Sequence, residues 1–181
     1  LWQGRLAPWI GDALSAAYLS YQVYVHWAFI SAWFLSTPQR MQFARGVFTT
    51  FAVGFTCYFL LPAETPQVAF PQIFDAPQQG GLIMTLNEML NSRMAARYDA
   101  FPSMHVLVTM TLLAWDWGHY RVRFWIMLLP AVLMAVGTLY LRLHYLTDLM
   151  ASAALFIALQ YGFRLGARSP SLSSHAAVAT T

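Results

Sequence analysis

The sequence contains no lysine, and Cys57 is its only cysteine. A single thiol permits no disulfide within the chain and no cysteine-built metal site. Charge of either sign is scarce. Ten arginines and seven acids make up 9% of the 181 residues, where a soluble domain carries about 25%. The net charge of +3 is too small and too scattered to form a nucleic-acid surface, and that class of partner is excluded.

What fills the chain instead is apolar, 59% of it. Repeated spans of about 17–25 mostly apolar residues are the length a helix needs to cross a bilayer. Five such spans run roughly from Leu14 to Leu35, Gly46 to Leu61, Ser103 to Trp117, Phe124 to Leu141 and Tyr145 to Phe163. The expected fold class is all-α, a polytopic membrane helical bundle with about five transmembrane helices in this chain. Leu1 is not a natural start, and no basic signal-peptide opening follows it, so a sixth helix is expected upstream. Residues 1–166 read as one membrane-embedded unit and 167–181, rich in serine and alanine, as a disordered tail. Tryptophans and tyrosines near the ends of the spans suit anchoring at the membrane interface.

The charges divide by side. Arg40, Arg45, Arg121, Arg123, Arg164 and Arg168 flank one set of turns, with Asp116 as the lone acid near them. The other set holds Glu64, Asp75, Glu88, Asp99 and Asp148 against Arg93, Arg97 and Arg142. Positive flanks stay in the cytoplasm, so the long segment from Pro62 to Pro102 is expected outside. Four prolines and two glycines in its first half disfavour an uninterrupted helix. Its second half is expected to form a short interfacial helix with Leu82, Leu86, Met89 and Leu90 on one face.

Two short stretches carry chemistry on that outer side. "FPSMH" puts Ser103 and His105 at the mouth of the third span, and "HYLTD" puts His144 and Asp148 at the mouth of the fifth. A helix beginning at His144 would place Asp148 on the same face, four residues on. There the carboxylate would orient the imidazole and stabilise its charged form. Ser103 is placed to cap its helix, whose first N–H groups attract anions. His144 as nucleophile and His105 as acid would serve phosphoryl transfer through a phosphohistidine. Two histidines and a carboxylate would also be adequate metal ligands, although histidine attack requires no metal. His26 is expected to pack or hydrogen-bond within the first helix, and His119 to sit on a solvated turn.

Together the two stretches resemble the second and third signature motifs of the type 2 phosphatidic acid phosphatase superfamily, and more closely its branch of inositol phosphorylceramide and sphingomyelin synthases. The resemblance implies six membrane helices, His144 as nucleophile, Asp148 as its partner, His105 as acid or base, and Ser103 on the phosphate. It implies a lipid phosphate or phosphodiester as substrate (phospholipid, isoprenoid or sphingolipid) and no cofactor. Departures are visible. The arginine six positions before the third-motif histidine is Thr138, and the one that often follows "LLPAETP" is Gln67. Arg142, Gln67, Arg97 and Arg93 are the remaining candidates for binding phosphate. The expected function is a metal-independent lipid phosphatase or phosphotransferase with its site facing outward, in a bacterial inner membrane. The alternatives are headgroup transfer to a lipid hydroxyl, or a transport or assembly protein without catalysis.

Overall fold

The computed structural model describes residues 7–74, 78–94 and 97–168. These form seven helices and, among the described residues, no strand. They are α1 (Pro8–Ala32), α2 (Thr37–Leu60), α3 (Pro66–Ala69), α4 (Leu82–Met94), α5 (Met104–His119), α6 (Arg121–Tyr140) and α7 (Leu146–Arg168). The sixth helix expected upstream is not part of the described residues, nor is the expected tail from residue 169; residues 167 and 168 still belong to α7.

The five expected spans are the five long helices, with shifted ends. α1 begins at Pro8 rather than Leu14, because proline at the first helical position is already set to helical φ. α2 begins at Thr37 rather than Gly46, because its polar first turns are helical without being apolar. Three of the five, α2, α6 and α7, are long and apolar enough to cross a membrane by length and composition. The expected count of five does not hold on that criterion. α5 has only 16 residues, and Gln22, His26 and the tyrosines dilute α1. α5 is enclosed, packing against α1, α2, α6 and α7, whereas α1 packs against α4, α5 and α6 and still exposes Val23, Trp27 and Ile30. A helix with such neighbours needs less apolar surface than one facing lipid.

The core gathers around α5, where Leu107, Val108 and Leu112 are buried against Tyr24, Phe43, Val47 and Met127. The outer helices turn apolar side chains away from it, as Phe48, Phe55 and Phe59 do on α2 and Trp125, Leu129 and Val136 on α6. That arrangement suits a bundle with lipid for its solvent. Two glycines allow close approach: a Cβ on Gly54 would lie 1.9 Å from Met104 Sδ, and one on Gly137 would lie 3.0 Å from the Leu14 carbonyl.

At one end of the bundle a buried ion pair joins three helices. Arg123 Nε and Nη2 donate to Asp116 Oδ2 and Oδ1 at 2.8 and 2.5 Å. The Tyr24 hydroxyl donates to the same carboxylate at 2.7 Å, and Arg123 Nη1 also reaches Ser31 Oγ. The sequence reading treated both charges as residues of a turn; both are buried, because each supplies the other's counter-charge. At the opposite end α4 docks on α1. Asp12 accepts from the backbone N–H groups of Gly81 and Met84 at 2.9 and 3.0 Å and so caps α4 from another helix. Met84 and Asn87 are buried and Leu82, Leu86 and Met89 are exposed on an apolar face, whereas Leu90, expected on that face, is half-buried and lines the cavity of His105 and His144.

Candidate active site

The turn between α6 and α7 places the first histidine. Arg142 has φ 60°, in the left-handed region. With it there, Arg142 N–H reaches the Leu139 carbonyl at 3.2 Å and Leu143 N–H reaches the Thr138 carbonyl at 3.0 Å. These two bonds are the Schellman pattern that closes a helix end. His144 N–H also reaches the Thr138 carbonyl, at 3.2 Å. His144 therefore precedes α7 instead of starting it. Asp148, in the first turn of α7, returns to the Tyr145 N–H with its Oδ2 at 2.7 Å, which is one half of a capping box.

The His144 ring is 5% exposed. Its Nδ1 lies 2.8 Å from the Ala100 carbonyl and 3.6 Å from Asp148 Oδ2. The hydrogen bond that sets its tautomer thus runs to Ala100, with the carboxylate close beside it. Nδ1 carries the proton as donor to that carbonyl, which leaves the Nε2 lone pair free. Ala100 is held in turn by its N–H bond to the Ala63 carbonyl at 3.1 Å.

His105 stands on the first turn of α5, with its ring centroid 5.9 Å from that of His144. Tyr18 and Tyr21 of α1 flank it, each with ring centroids 4.7 Å away. Its Nδ1 is buried with no hydrogen-bond partner. Ser103 occupies the N-cap position of α5 but makes no capping bond: it is fully buried, and its hydroxyl too has no partner. The Ser152 hydroxyl sits between the Asp148 carbonyl at 2.7 Å and the Ser103 carbonyl at 2.9 Å. Ser103 N–H approaches the Asp148 carbonyl at 3.5 Å. The mouths of α5 and α7 are therefore joined, and with them the two histidine-bearing segments.

Both histidines line one cavity of about 200 Å³. Tyr18, Gln22, Tyr58, Thr65, Asn91 and Asp99 contribute its other polar groups. None of the arginine candidates is among the lining residues. Arg142 Nη1 donates to the Phe74 carbonyl at 3.0 Å, and its guanidinium lies 4.9 Å from the Phe74 ring centroid. Arg97 pairs with Glu64 at 2.7 Å, a hydrogen bond that raises its pKa above the usual arginine value. Arg93 is exposed in the last turn of α4, and Gln67 is exposed on α3, where its N–H approaches the Arg142 carbonyl at 3.4 Å. Among the described residues no group of three or more His, Cys, Asp or Glu side chains is arranged to hold a metal ion.

His105 of "FPSMH" and His144 of "HYLTD", about 40 residues apart in sequence, meet at one cavity at the mouths of two helices, and Asp148 lies beside His144 outside the cavity lining. A family model described as the PAP2 superfamily matches residues 4–162. The chain belongs to the PAP2 superfamily. No curated protein and no solved structure matches it. Membership places the chain in a membrane family of phosphatase type. The cavity also draws on residues outside the two motifs. Tyr18, Tyr21 and Tyr58 stand around His105 or in the cavity, and Tyr24 is buried on Asp116. The spacing of Tyr18, Tyr21 and Gln22, three and four apart, was the available signal, since it puts them on one face of α1. Tyr140 and Tyr145 are not among the cavity residues; the Tyr140 hydroxyl turns to the Gln79 carbonyl at 3.4 Å. His26 bonds the Gln22 carbonyl of its own helix on an exposed face, and His119 stacks on Trp115.

Proposed function

We propose that this PAP2 protein is a lipid phosphatase or phosphotransferase that works through a phosphohistidine on His144. The observation that carries the reading is the pair of imidazoles, 5.9 Å apart on one cavity, one of them with its Nδ1 on a backbone carbonyl. In the first step the Nε2 lone pair of His144 attacks phosphorus and forms a P–N bond. The P–O bond to the lipid alcohol breaks, its electron pair stays on oxygen, and protonated His105 gives that oxygen its proton. In the second step an acceptor hydroxyl attacks phosphorus and passes its proton to His105, and the P–N electron pair returns to Nε2. Water as acceptor gives hydrolysis. Asp148 stabilises the positive charge on His144 as it forms. Ser103, with its unpartnered hydroxyl at the N-terminus of α5, is the candidate for holding phosphate, although it is buried outside the cavity lining and must be uncovered to do so; Arg142 and Arg97 would join it only by turning from their present partners, and Gln67 only by turning in from its exposed position.

A second reading, transfer to a lipid hydroxyl, is favoured by the cavity lining. Gln22, Asn91 and Thr65 offer neutral hydrogen bonds suited to a polyol or a phosphodiester, and no arginine is among the lining residues to meet a dianion. The proposed substrate is a phospholipid, isoprenoid or sphingolipid phosphate. The proposed orientation faces the cavity away from the arginine-rich end, on the extracytoplasmic side of a bacterial inner membrane.

The test is chemical trapping. Protein in detergent is mixed with phosphorus-labelled lipid phosphate and quenched within one turnover. Label that is lost in acid and kept in base, and that is absent from His144→Ala, is the expected result. Turnover without any labelled enzyme species would overturn the covalent route.

A further inference from the structure

A second opening lies at the far end of α5 from the two catalytic candidates. A cleft of about 520 Å³ is lined by α2 and α7 and by the last turns of α5. With a helical rise of about 1.5 Å per residue, the span from His105 to His119 sets the two openings roughly 21 Å apart. Each of the three helices gives this cleft a glycine: Gly46, Gly118 and Gly162. A Cβ on any of them would meet nothing within 4 Å. Gly54 and Gly137 admit a neighbouring group of the protein, whereas these three leave space that no part of the protein fills.

The lining is of mixed character. Phe43 and Val47 make an apolar wall. Arg45 is exposed at the rim, and Gln42 and Gln160 add amide donors. Trp115, on α5, has its indole Nε1 buried with no hydrogen-bond partner. A cation, neutral donors and an unsatisfied N–H beside an apolar wall fit an amphiphile with an anionic head. The volume falls within the range of about 300–1,000 Å³ usual for ligand sites. A helix from a second copy, about 10 Å across, would need a groove running along the bundle rather than a cleft at one end.

We propose that this cleft binds the phosphate-bearing headgroup of an anionic phospholipid, from the leaflet opposite to the one that meets His105 and His144. The phosphate sits on Arg45 and the indole N–H, the glycines make room for the headgroup, and the upper chain lies on Phe43 and Val47. The site is separate from the phosphohistidine chemistry and does not depend on it.

Native mass spectrometry of the protein in detergent, titrated with phosphatidylglycerol or phosphatidylcholine, tests the site. The wild type should retain one phosphatidylglycerol in clear preference to phosphatidylcholine. Arg45→Gln should weaken phosphatidylglycerol about 10–100-fold, the equivalent of one charge-assisted hydrogen bond, and leave phosphatidylcholine unchanged. Gly118→Leu should remove binding of both, and Gly118→Ala should keep it. If Gly118→Leu fails to fold, Arg45→Gln decides alone, since its side chain is exposed. Equal retention of the two lipids by the wild type, or phosphatidylglycerol binding indifferent to Arg45→Gln, overturns the proposal; the latter outcome would put the lipid in the catalytic cavity. A dimer that Gly118→Leu converts to monomer also overturns it, by assigning the cleft to a second copy.

Discussion

His144 directs its Nδ1 to the Ala100 carbonyl at 2.8 Å, while the Asp148 carboxylate, 3.6 Å from the same nitrogen, accepts from the Tyr145 N–H at 2.7 Å. The imidazole is thus oriented by backbone and assisted by charge. The two contributions separate in kinetics. His144→Ala should abolish turnover while the protein still inserts. Asp148→Asn keeps an oxygen for Tyr145 N–H and loses only the charge, so kcat should fall about 10–100-fold, in keeping with about 1.5–3 kcal/mol for a charged partner. A loss near ten-thousand-fold, as in a catalytic triad whose aspartate sets the tautomer, would show that Asp148 and not Ala100 holds the imidazole. The measurement is kcat on a short-chain phosphate substrate.

Ser152 joins the carbonyls of Ser103 and Asp148, at 2.9 and 2.7 Å. Ser152→Ala should cost about 1 kcal/mol of stability, the value of one ordinary hydrogen bond. As a positioning residue it should also lower kcat several-fold with KM unchanged, because the two helix mouths lose their link. A variant with lower Tm and normal kcat would restrict Ser152 to a structural role.

The motifs were legible because their spacing is local: Pro-Ser before a helix and His followed by Asp four residues on are written within a few positions. What the sequence did not disclose depends on contacts between distant segments. Asp12 looks like any acid near a terminus until α4 is laid on it, and Asp116 reads as a turn residue until Arg123 and Tyr24 close around it. For the tyrosines of α1, composition cannot tell a ring beside lipid from a ring beside an imidazole. Arg142 stands in the sequence as a candidate for binding phosphate, because its left-handed φ and its Phe74 partner belong to the fold.

Activity should be indifferent to a chelator, since the proposed steps use only nitrogen nucleophile and nitrogen acid. Dialysis against EDTA, followed by assay with and without added zinc or magnesium, checks this. Loss on dialysis with recovery on metal addition would point to a metal-bound nucleophile instead.

The Asp116–Arg123 pair is buried at the end of the bundle away from the histidines. Asp116→Ala would leave Arg123 as an uncompensated buried charge, and breaking such a pair costs about 3–5 kcal/mol. A large fall in Tm is expected. Replacing both partners together, Asp116→Leu with Arg123→Met, should cost much less, because the desolvation of both charges is then avoided. The comparison is made by thermal unfolding in one detergent. Equal destabilisation by the single and double variants would mean that the Tyr24 and Ser31 contacts, rather than the pair, secure this end.

Arg142 carries two roles that substitution can part. Its backbone sits at φ 60°, which costs a residue with a Cβ about 1–2 kcal/mol and costs glycine little. Its guanidinium is bonded to the Phe74 carbonyl. If Arg142 is only a cap and a tie, Arg142→Gly should be more stable than Arg142→Ala, since it relieves the backbone, and both should keep near-normal kcat/KM at a temperature where they are folded. If the side chain leaves Phe74 to grip phosphate during turnover, both variants should lose kcat/KM about 10–100-fold for each charged bond removed, whatever their Tm. Arg142→Lys should then recover only part, because an ammonium cannot reproduce the two parallel bonds of a guanidinium. The static partners favour the first outcome. An equal kinetic loss in the glycine and alanine variants, set against different Tm values, would restore Arg142 to the anion site and imply that the Phe74 segment moves when substrate enters.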